Sequence, residues 1–113
     1  MSGEVGIRHT QGKLKLSDIF YWLEPEFLMD MVKVMEFGGK KYAKDNWKKG
    51  LPVNDCLDSA IRHLVQVRNG VLKDQEPKEK FGLEPTEHLA HAAINCMFAW
   101  YFAGEDCKNP DGN

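Results

Sequence analysis

The segment between Pro85 and Ala103 constrains the fold more strongly than any other part of the sequence. Its large apolar side chains fall on more than one side of a helix, and they are Ile94, Met97, Phe98, Trp100, Tyr101 and Phe102. A helix that is apolar around most of its circumference requires neighbours on most sides. We therefore expect a helix that ends before Gly104 and has neighbours on nearly every side. We also expect a second copy to cover it, in a homo-oligomer that is a dimer or a tetramer.

Two other stretches have the spacing of amphipathic helices. The first begins at Pro25, which suits a first helical turn, and its small or apolar positions are Leu28, Val32, Met35, Gly39 and Tyr42. The second begins at Asn54 or Asp55, either of which can cap a helix, and it ends at 69–70. Its apolar positions are Leu57, Ile61, Leu64 and Val67 or Val71. Since no segment alternates convincingly as a strand does, the sequence predicts an all-α fold, a small bundle of about three main helices.

Length and composition favour one compact domain. The 113 residues are enough for a single core, and the shares of hydrophobic residues (42%) and charged residues (28%) are ordinary for a globular protein. We expect a flexible arm at residues 1–13, a single helical domain at 14–104 and a polar tail at 105–113.

Charge and hydropathy exclude several classes of partner. The formal net charge of −2 excludes a broadly basic protein that binds extended nucleic acid, although it permits a local basic patch. The absence of an apolar run that fits a bilayer and of a secretory signal pattern predicts no membrane partner and a cytoplasmic location. The three cysteines are widely spaced and fit neither a disulfide framework nor a zinc motif.

A basic and aromatic segment follows the first predicted helix. It reads Gly38-Gly39-Lys40-Lys41-Tyr42 and then Asn46-Trp47-Lys48-Lys49-Gly50. Lysines donate to phosphate oxygens, the rings of Tyr42 and Trp47 offer flat faces for a base, and Asn46 can read a base edge or anchor the loop. The segment is therefore a candidate nucleotide site. The alternative is a solvated, lysine-rich elbow with Trp47 in the core.

Arg62 and His63 form a second candidate pair, on the second predicted helix. Arg62 can neutralise a phosphate with its two-donor fork, or it can form a surface ion pair with Asp58 one turn earlier. His63 lies near the apolar stripe, where it either faces a ligand or is a core histidine with one bonded nitrogen.

The third predicted helix carries a polar stripe. His88, His91 and Asn95 project from one side, and Glu87 lies one turn before His91. Burying several polar groups costs free energy unless they are satisfied, so the stripe favours the lining of a cavity over a packed core. Glu87 and the imidazoles can bind a divalent ion, or a histidine can act as a general base on water. The alternative is a hydrogen-bond network between helices.

Further acidic residues are candidate metal ligands. The loop before the third helix holds Asp74, Glu76 and Glu79 among lysines, and one of these acids can complete a magnesium site unless the loop is simply solvated. Glu36 lies on the first helix and Asp58 on the second.

Taken in order, these motifs resemble those of a family of short phage and prophage proteins, the N-terminal region of dATP/dGTP diphosphohydrolases. The match consists of Gly39-x-Lys41-Tyr42-x-x-x-Asn46-Trp47-x-Lys49-Gly50, then Arg62-His63, then an acidic loop with Gly82, then His88-Leu89-Ala90-His91. The resemblance covers about residues 13–102.

The resemblance implies an all-α fold akin to the MazG-like nucleoside triphosphate pyrophosphatases, which are usually oligomers. With Mg²⁺ or Mn²⁺ those enzymes hydrolyse the α–β bond of a triphosphate to a monophosphate and pyrophosphate. This chain is then expected to act on a purine (deoxy)nucleoside triphosphate in a phage-infected bacterium. The expected roles are catalysis by Glu87, His88 and His91; metal binding by Glu36, Asp58, Glu87 and His91; and nucleotide binding by Lys40, Lys41, Tyr42, Asn46, Trp47, Lys49, Arg62, His63 and Asn95.

The sequence departs from that superfamily in its acidic residues. The superfamily binds its metals with paired Glu-x-x-Glu and Glu-x-x-Asp motifs, whereas the second helix here offers only Asp58 and the third offers His88 and His91 beside Glu87. Imidazoles suit manganese, zinc or iron, and carboxylates suit magnesium. The missing carboxylates favour a second hypothesis, a non-catalytic phage protein that sequesters a nucleotide-derived immune signal.

Overall fold

The computed structural model describes residues 6–8 and 12–108, and this part of the chain is mainly helical. In chain order the elements are a 3-10 turn at Leu16–Asp18, α1 (Ile19–Trp22), α2 (Pro25–Lys41), a 3-10 turn at Asn46–Lys49, α3 (Val53–Arg68), β1 (Lys73–Asp74), α4 (Glu76–Phe81), β2 (Thr86–Glu87) and α5 (His88–Lys108). The predicted all-α bundle of three main helices, α2, α3 and α5, is confirmed. Within the described ranges, no helix combines the length and the hydropathy needed to cross a membrane.

The ends of the helices agree with the sequence in part. Pro25 stands at the start of α2, as predicted. The left-handed backbone of Gly70, with φ of 86°, follows the end of α3, also as predicted. However, α3 begins at Val53 without a side-chain cap, because the extended backbone of Pro52 leads directly into the first turn. The predicted caps Asn54 and Asp55 therefore lie inside the helix.

The last helix is longer than predicted. It continues through Gly104 to Lys108, because Gly104 does not adopt the left-handed backbone that ends a helix at a glycine. Parts of the predicted arm (1–5 and 9–11) and of the predicted tail (109–113) lie outside the described residues.

The centre of the bundle is formed by α2 and α5. Val34, Ala90 and Ile94 form the buried cluster, and the half-buried residues packed against it are Met31, Met35 and Phe98. Ala90 has no exposed surface at all. Small residues at this contact let the helices approach closely.

On α2, the buried face differs from the predicted one. Val34 and Phe37 are buried and Met35 packs against the buried cluster, whereas Val32 and Tyr42, which lie on the predicted stripe with Met35, are 48% and 64% exposed. The face around Val34 packs against α5, where Ala90 and Ile94 are buried with it.

On α3, the predicted stripe is also exposed in the single chain. The buried residues are Cys56 and Ala60, while Leu57, Ile61 and Leu64 remain exposed. The prediction followed side-chain hydrophobicity. The actual contact with α5, the most extensive between helices, instead follows side-chain size, since small residues permit close packing.

Candidate functional site

A short strand pair fixes the loop between α3 and α5 onto the start of α5. In this antiparallel pair Asp74 lies opposite Thr86, and the amide of His88 donates to the carbonyl oxygen of Leu72 over 2.9 Å. Oδ1 of Asp74 accepts a hydrogen bond from the amide of Glu76, also over 2.9 Å. The pair therefore places the Asp74 carboxylate beside the first turn of α5.

Three histidines from two helices meet next to this strand pair. Nδ1 of His63, on α3, lies 2.8 Å from Nδ1 of His88, on α5, so one ring donates to the other. The rings of His63 and His91 are stacked, with centroids 4.3 Å apart and an interplanar angle of 7°. The polar stripe of the last helix thus meets His63 across the α3–α5 contact.

His91 has a confined and largely desolvated environment. Its Nε2 atom lies 2.7 Å from Oγ1 of Thr86 and 3.7 Å from Oδ2 of Asp74, and the ring of Phe37 meets its ring edge-on. Desolvation by burial, followed by the proximity of His63, lowers the pKa of His91 to about 4. His91 is therefore neutral at pH 7.

His63 is shifted in the same direction. Desolvation by burial, followed by the proximity of His88, lowers the pKa of His63 below its ordinary value of 6.5. Neutral imidazole is the form that binds metal ions or accepts a proton from water.

The group His63, Asp74 and His88 has the spacing of metal ligands. Each residue offers one ligand atom, and the three atoms lie within 4.8 Å of one another. Two imidazole nitrogens and one carboxylate oxygen can hold an ion of the transition series.

An ion pair lies beside this group. Nζ of Lys41, at the end of α2, is 2.7 Å from Oε1 of Glu76, and Nζ of Lys80 is 3.0 Å from the same oxygen. The hydrogen bond from Lys41, followed by that from Lys80, lowers the pKa of Glu76 below 4.5. The hydrogen bond to Glu76 raises the pKa of Lys41 above 10.5. Both partners stay charged at neutral pH.

A cavity of about 460 Å³ connects these groups. It is bounded by α2, α3, α5 and the 42–52 segment between α2 and α3, and one side of it is apolar. The polar side contains Lys41, His63, Asp74, Glu76 and His91. Its volume and its mixed lining are typical of sites for small molecules.

Trp47 both lines the cavity and packs in an aromatic cluster. Its ring is stacked on Phe98 with centroids 5.0 Å apart, and it meets Tyr101 and Phe102 edge-on. The ring is therefore packed against α5 and also borders the cavity.

The structure divides the predicted nucleotide-binding residues into two sets. Those that line the cavity are Lys41, Tyr42, Asn46, Trp47, His63 and Asn95. Lys40, Lys49 and Arg62 are exposed and lie outside the lining.

The predicted catalytic and metal-binding residues are also divided. His91 lines the cavity, and His88 contacts His63. Glu87 lies in a separate small pocket, with its Oε1 atom 4.0 Å from Nζ of Lys73. Glu36 and Asp58 are exposed on α2 and α3, outside the cavity lining.

Sequence reasoning assigned no definite role to Asp74, Glu76 or Thr86. Asp74 and Glu76 were two of several loop acids. The β1–β2 pairing distinguishes Asp74 from the others, and the ion pair with Lys41 distinguishes Glu76. A strand of two residues is too short to produce a detectable alternation. The sequence feature that could have pointed to Asp74 is its residue type, since an aspartate often accepts a hydrogen bond from the amide two residues later, here that of Glu76.

The fold and the site define a small all-α protein with a ligand-sized cavity whose polar side is built from histidines and carboxylates. A family model described as "dATP/dGTP diphosphohydrolase, N-terminal" matches residues 4–110, and the chain belongs to this family. The family predicted from the motifs is thereby confirmed.

A phage protein is related to most of the chain. The protein named "dATP/dGTP diphosphohydrolase" from Salmonella phage PMBT28 is 33% identical over 96 residues. The alignment covers 85% of this chain but only 29% of that relative, so the chain spans less than a third of the relative's length. No solved structure matches the chain significantly.

Proposed function

We propose that this chain hydrolyses a purine (deoxy)nucleoside triphosphate to the monophosphate and pyrophosphate. The observation that carries the proposal is the cavity, which joins an aromatic wall at Trp47 and Phe98 to an ionisable side at His63 and Asp74. The aromatic wall suits a base, and the ionisable side suits the reacting phosphates. Membership of the family and the name of the phage relative support this reaction class and a purine substrate.

The charges of the cavity support a requirement for divalent cations. The lining contains one lysine, Lys41, and four carboxylates, those of Asp45, Asp55, Asp74 and Glu76, so its own formal charge is three negative. A triphosphate is itself a polyanion, so it needs cations to enter such a site. We therefore propose that Mg²⁺ or Mn²⁺ accompanies the substrate.

The residues of the cavity fit a divalent ion. Asp74 lines the cavity and offers the oxygen ligands that these ions prefer, whereas the predicted ligands Glu36 and Asp58 are exposed and outside the lining. A bound ion would offset phosphate charge and lower the pKa of water.

The aromatic wall is proposed to hold the purine. One face of Trp47 is stacked on Phe98, and Tyr42 and Asn46 lie on the same segment of the cavity lining. A ring that is fixed by packing loses little entropy when a base stacks on it. In this proposal Asn46 reads the edge of a base held there.

His91 is proposed to act as a positioning residue. Its Nε2 atom is engaged by Thr86, Nδ2 of Asn95 donates to its carbonyl oxygen over 2.9 Å, and its ring is stacked on His63. These contacts orient His63 toward the cavity.

We also propose that the chain forms a homo-oligomer through the outer faces of α3 and α5. In the single chain Leu57, Ile61 and Leu64 remain exposed, and Trp100 is 74% exposed. Of the eight buried hydrophobic residues in the described part of the chain, four are alanines, which bury little apolar surface each. A second copy would bury the exposed residues. Light scattering after gel filtration measures the number of subunits.

A panel of nucleotides tests the proposed reaction. The protein is incubated with Mg²⁺ or Mn²⁺ and with canonical triphosphates or cyclic signalling nucleotides, and the mixtures are separated chromatographically before and after denaturation. Monophosphate and pyrophosphate formed from a purine triphosphate support hydrolysis. A nucleotide that disappears with native protein and returns intact on denaturation refutes it, and supports sequestration instead.

A further inference from the structure

We infer that His63, Asp74 and His88 form a site for a first-row transition metal ion of the zinc, cobalt or manganese type, in preference to Mg²⁺. The inference deepens the proposed function by naming the class of cation. It rests on that function only for its biological use, since metal binding can be measured without a nucleotide.

The geometry of the two histidines supports this site. Their Nδ1 atoms are 2.8 Å apart, and two imidazole ligands in a tetrahedral zinc site are about 3.3 Å apart. Opening the contact by about half an ångström therefore makes room for an ion. In the metal-free contact one Nδ1 atom carries a hydrogen. In the metal-bound form both Nδ1 lone pairs point to the ion, and both ring hydrogens are on Nε2.

The carboxylate of Asp74 completes the set and is already fixed. Oδ1 accepts the hydrogen bond from the amide of Glu76, and the pairing with Thr86 sets the position of the backbone. A carboxylate that binds a metal ion is usually held by a hydrogen bond of this kind, which fixes its orientation. Two nitrogens and one oxygen favour transition ions over magnesium, which prefers oxygen ligands alone.

The surroundings of these three residues indicate an open metal site, in contrast to a closed structural one. His88 is only 7% exposed, whereas His63 and Asp74 both line the cavity. An ion held by this group would be reachable from the cavity and could also bind water or a phosphate oxygen. Three protein ligands with one open position are characteristic of catalytic zinc sites.

The test is metal binding to the chelator-treated full chain in the absence of nucleotide. Co²⁺ is titrated and its visible absorption recorded, and the bound Co²⁺ is then challenged with Zn²⁺ or with a 100-fold excess of Mg²⁺. We expect one equivalent of Co²⁺ per chain, displaced by Zn²⁺ and retained against Mg²⁺. Displacement by Mg²⁺, or absence of binding, overturns the inference.

Matched variants locate the ion. Asp74→Asn keeps the Oδ1 acceptor for Glu76 while removing the charge, and we expect it to weaken Co²⁺ binding by about 100-fold or more. Glu79→Gln, a carboxylate on the neighbouring α4, should bind as the wild type does. Circular dichroism checks that each variant is folded, and His63→Gln replaces Asp74→Asn if the latter unfolds. Unchanged affinity in the folded ligand variant, or an intense sulfur-to-cobalt absorption from the cysteines, contradicts the assignment.

Hydrolysis and metal binding can fail separately. If Co²⁺ binds as expected while no triphosphate is cleaved, the proposed reaction is wrong and the site stands. If triphosphates are cleaved with Mg²⁺ alone and Co²⁺ does not bind, the reaction stands and the site is wrong.

Discussion

The ion pair between Lys41 and Glu76 links the end of α2 to the start of α4, and its contribution to stability can be predicted from the structure. Nζ and Oε1 are 2.7 Å apart, and the two side chains are 30% and 28% exposed. A charge-assisted hydrogen bond at this distance is stronger than a fully exposed pair. Its partial exposure reduces the gain through solvent screening. We expect a coupling energy of about 1 kcal/mol at pH 7.

The coupling should depend on pH in a defined direction. Because the pKa of Glu76 is lowered in the folded chain, its contribution is complete above 4.5 and is lost as the pH falls through the folded pKa. Because the pKa of Lys41 is raised, its contribution is complete below 10.5 and is lost as the pH rises through the folded pKa. The coupling energy should therefore be constant between about pH 4.5 and 10.5 and decline outside that window.

A double-mutant cycle measures this coupling. Lys41→Met, Glu76→Gln and the double variant are unfolded in urea at pH 7 and at pH 3 without nucleotide. Lys80→Met serves as the matched control, because Lys80 bonds the same oxygen but is 57% exposed, and we expect a smaller coupling for it. A coupling of Lys41 and Glu76 below about 0.3 kcal/mol at pH 7, or one that does not fall at pH 3, refutes the reasoning.

Three further predictions concern the aromatic wall, the thiol in the cavity and the outer face of α3. Trp47→Ala should lower the free energy of unfolding by about 2–3 kcal/mol and raise the KM for a purine triphosphate, whereas Trp47→Phe should retain most of both. Burial raises the pKa of the Cys56 thiol, so an alkylating reagent should modify this thiol slowly in a Cys96→Ser, Cys107→Ser variant. Bound nucleotide should slow the modification further, and equal rates with and without nucleotide would place the ligand elsewhere. Ile61→Ser should weaken the oligomer in light scattering, while Ala60→Leu, at a buried position, should destabilise the fold by about 1–3 kcal/mol.

Helical periodicity predicted which segments fold into helices, but not which sides of them are buried. The pattern from Pro25 and that from Asn54 both correspond to real helices, since regular spacing is a local property of the sequence. The contact between α3 and α5 instead depends on which residues permit close approach. On α3 the small residue Ala60 is buried, while the larger Ile61 beside it is exposed. The hydrophobicity of the side chains alone does not show which side of each helix is buried.

The site was predictable where its residues lie on long helices. The spacing of His88 and His91 showed that they share a face, and the structure brings them together with His63. Asp74 joins them through a strand pair of two residues on each side. Such a non-local pairing leaves no periodic signal, so the sequence could not separate Asp74 from the other acids of its loop.

The most direct test of the central claim is the fate of the water oxygen during turnover by this chain alone. Purified protein is incubated with dGTP or dATP and a divalent metal in water enriched in ¹⁸O, and the products are analysed by mass spectrometry. Hydrolysis between the α and β phosphates gives nucleoside monophosphate and pyrophosphate, with one ¹⁸O atom in one of them and no inorganic phosphate. Nucleoside diphosphate with labelled inorganic phosphate, or unaltered triphosphate after prolonged incubation with every metal, would contradict it.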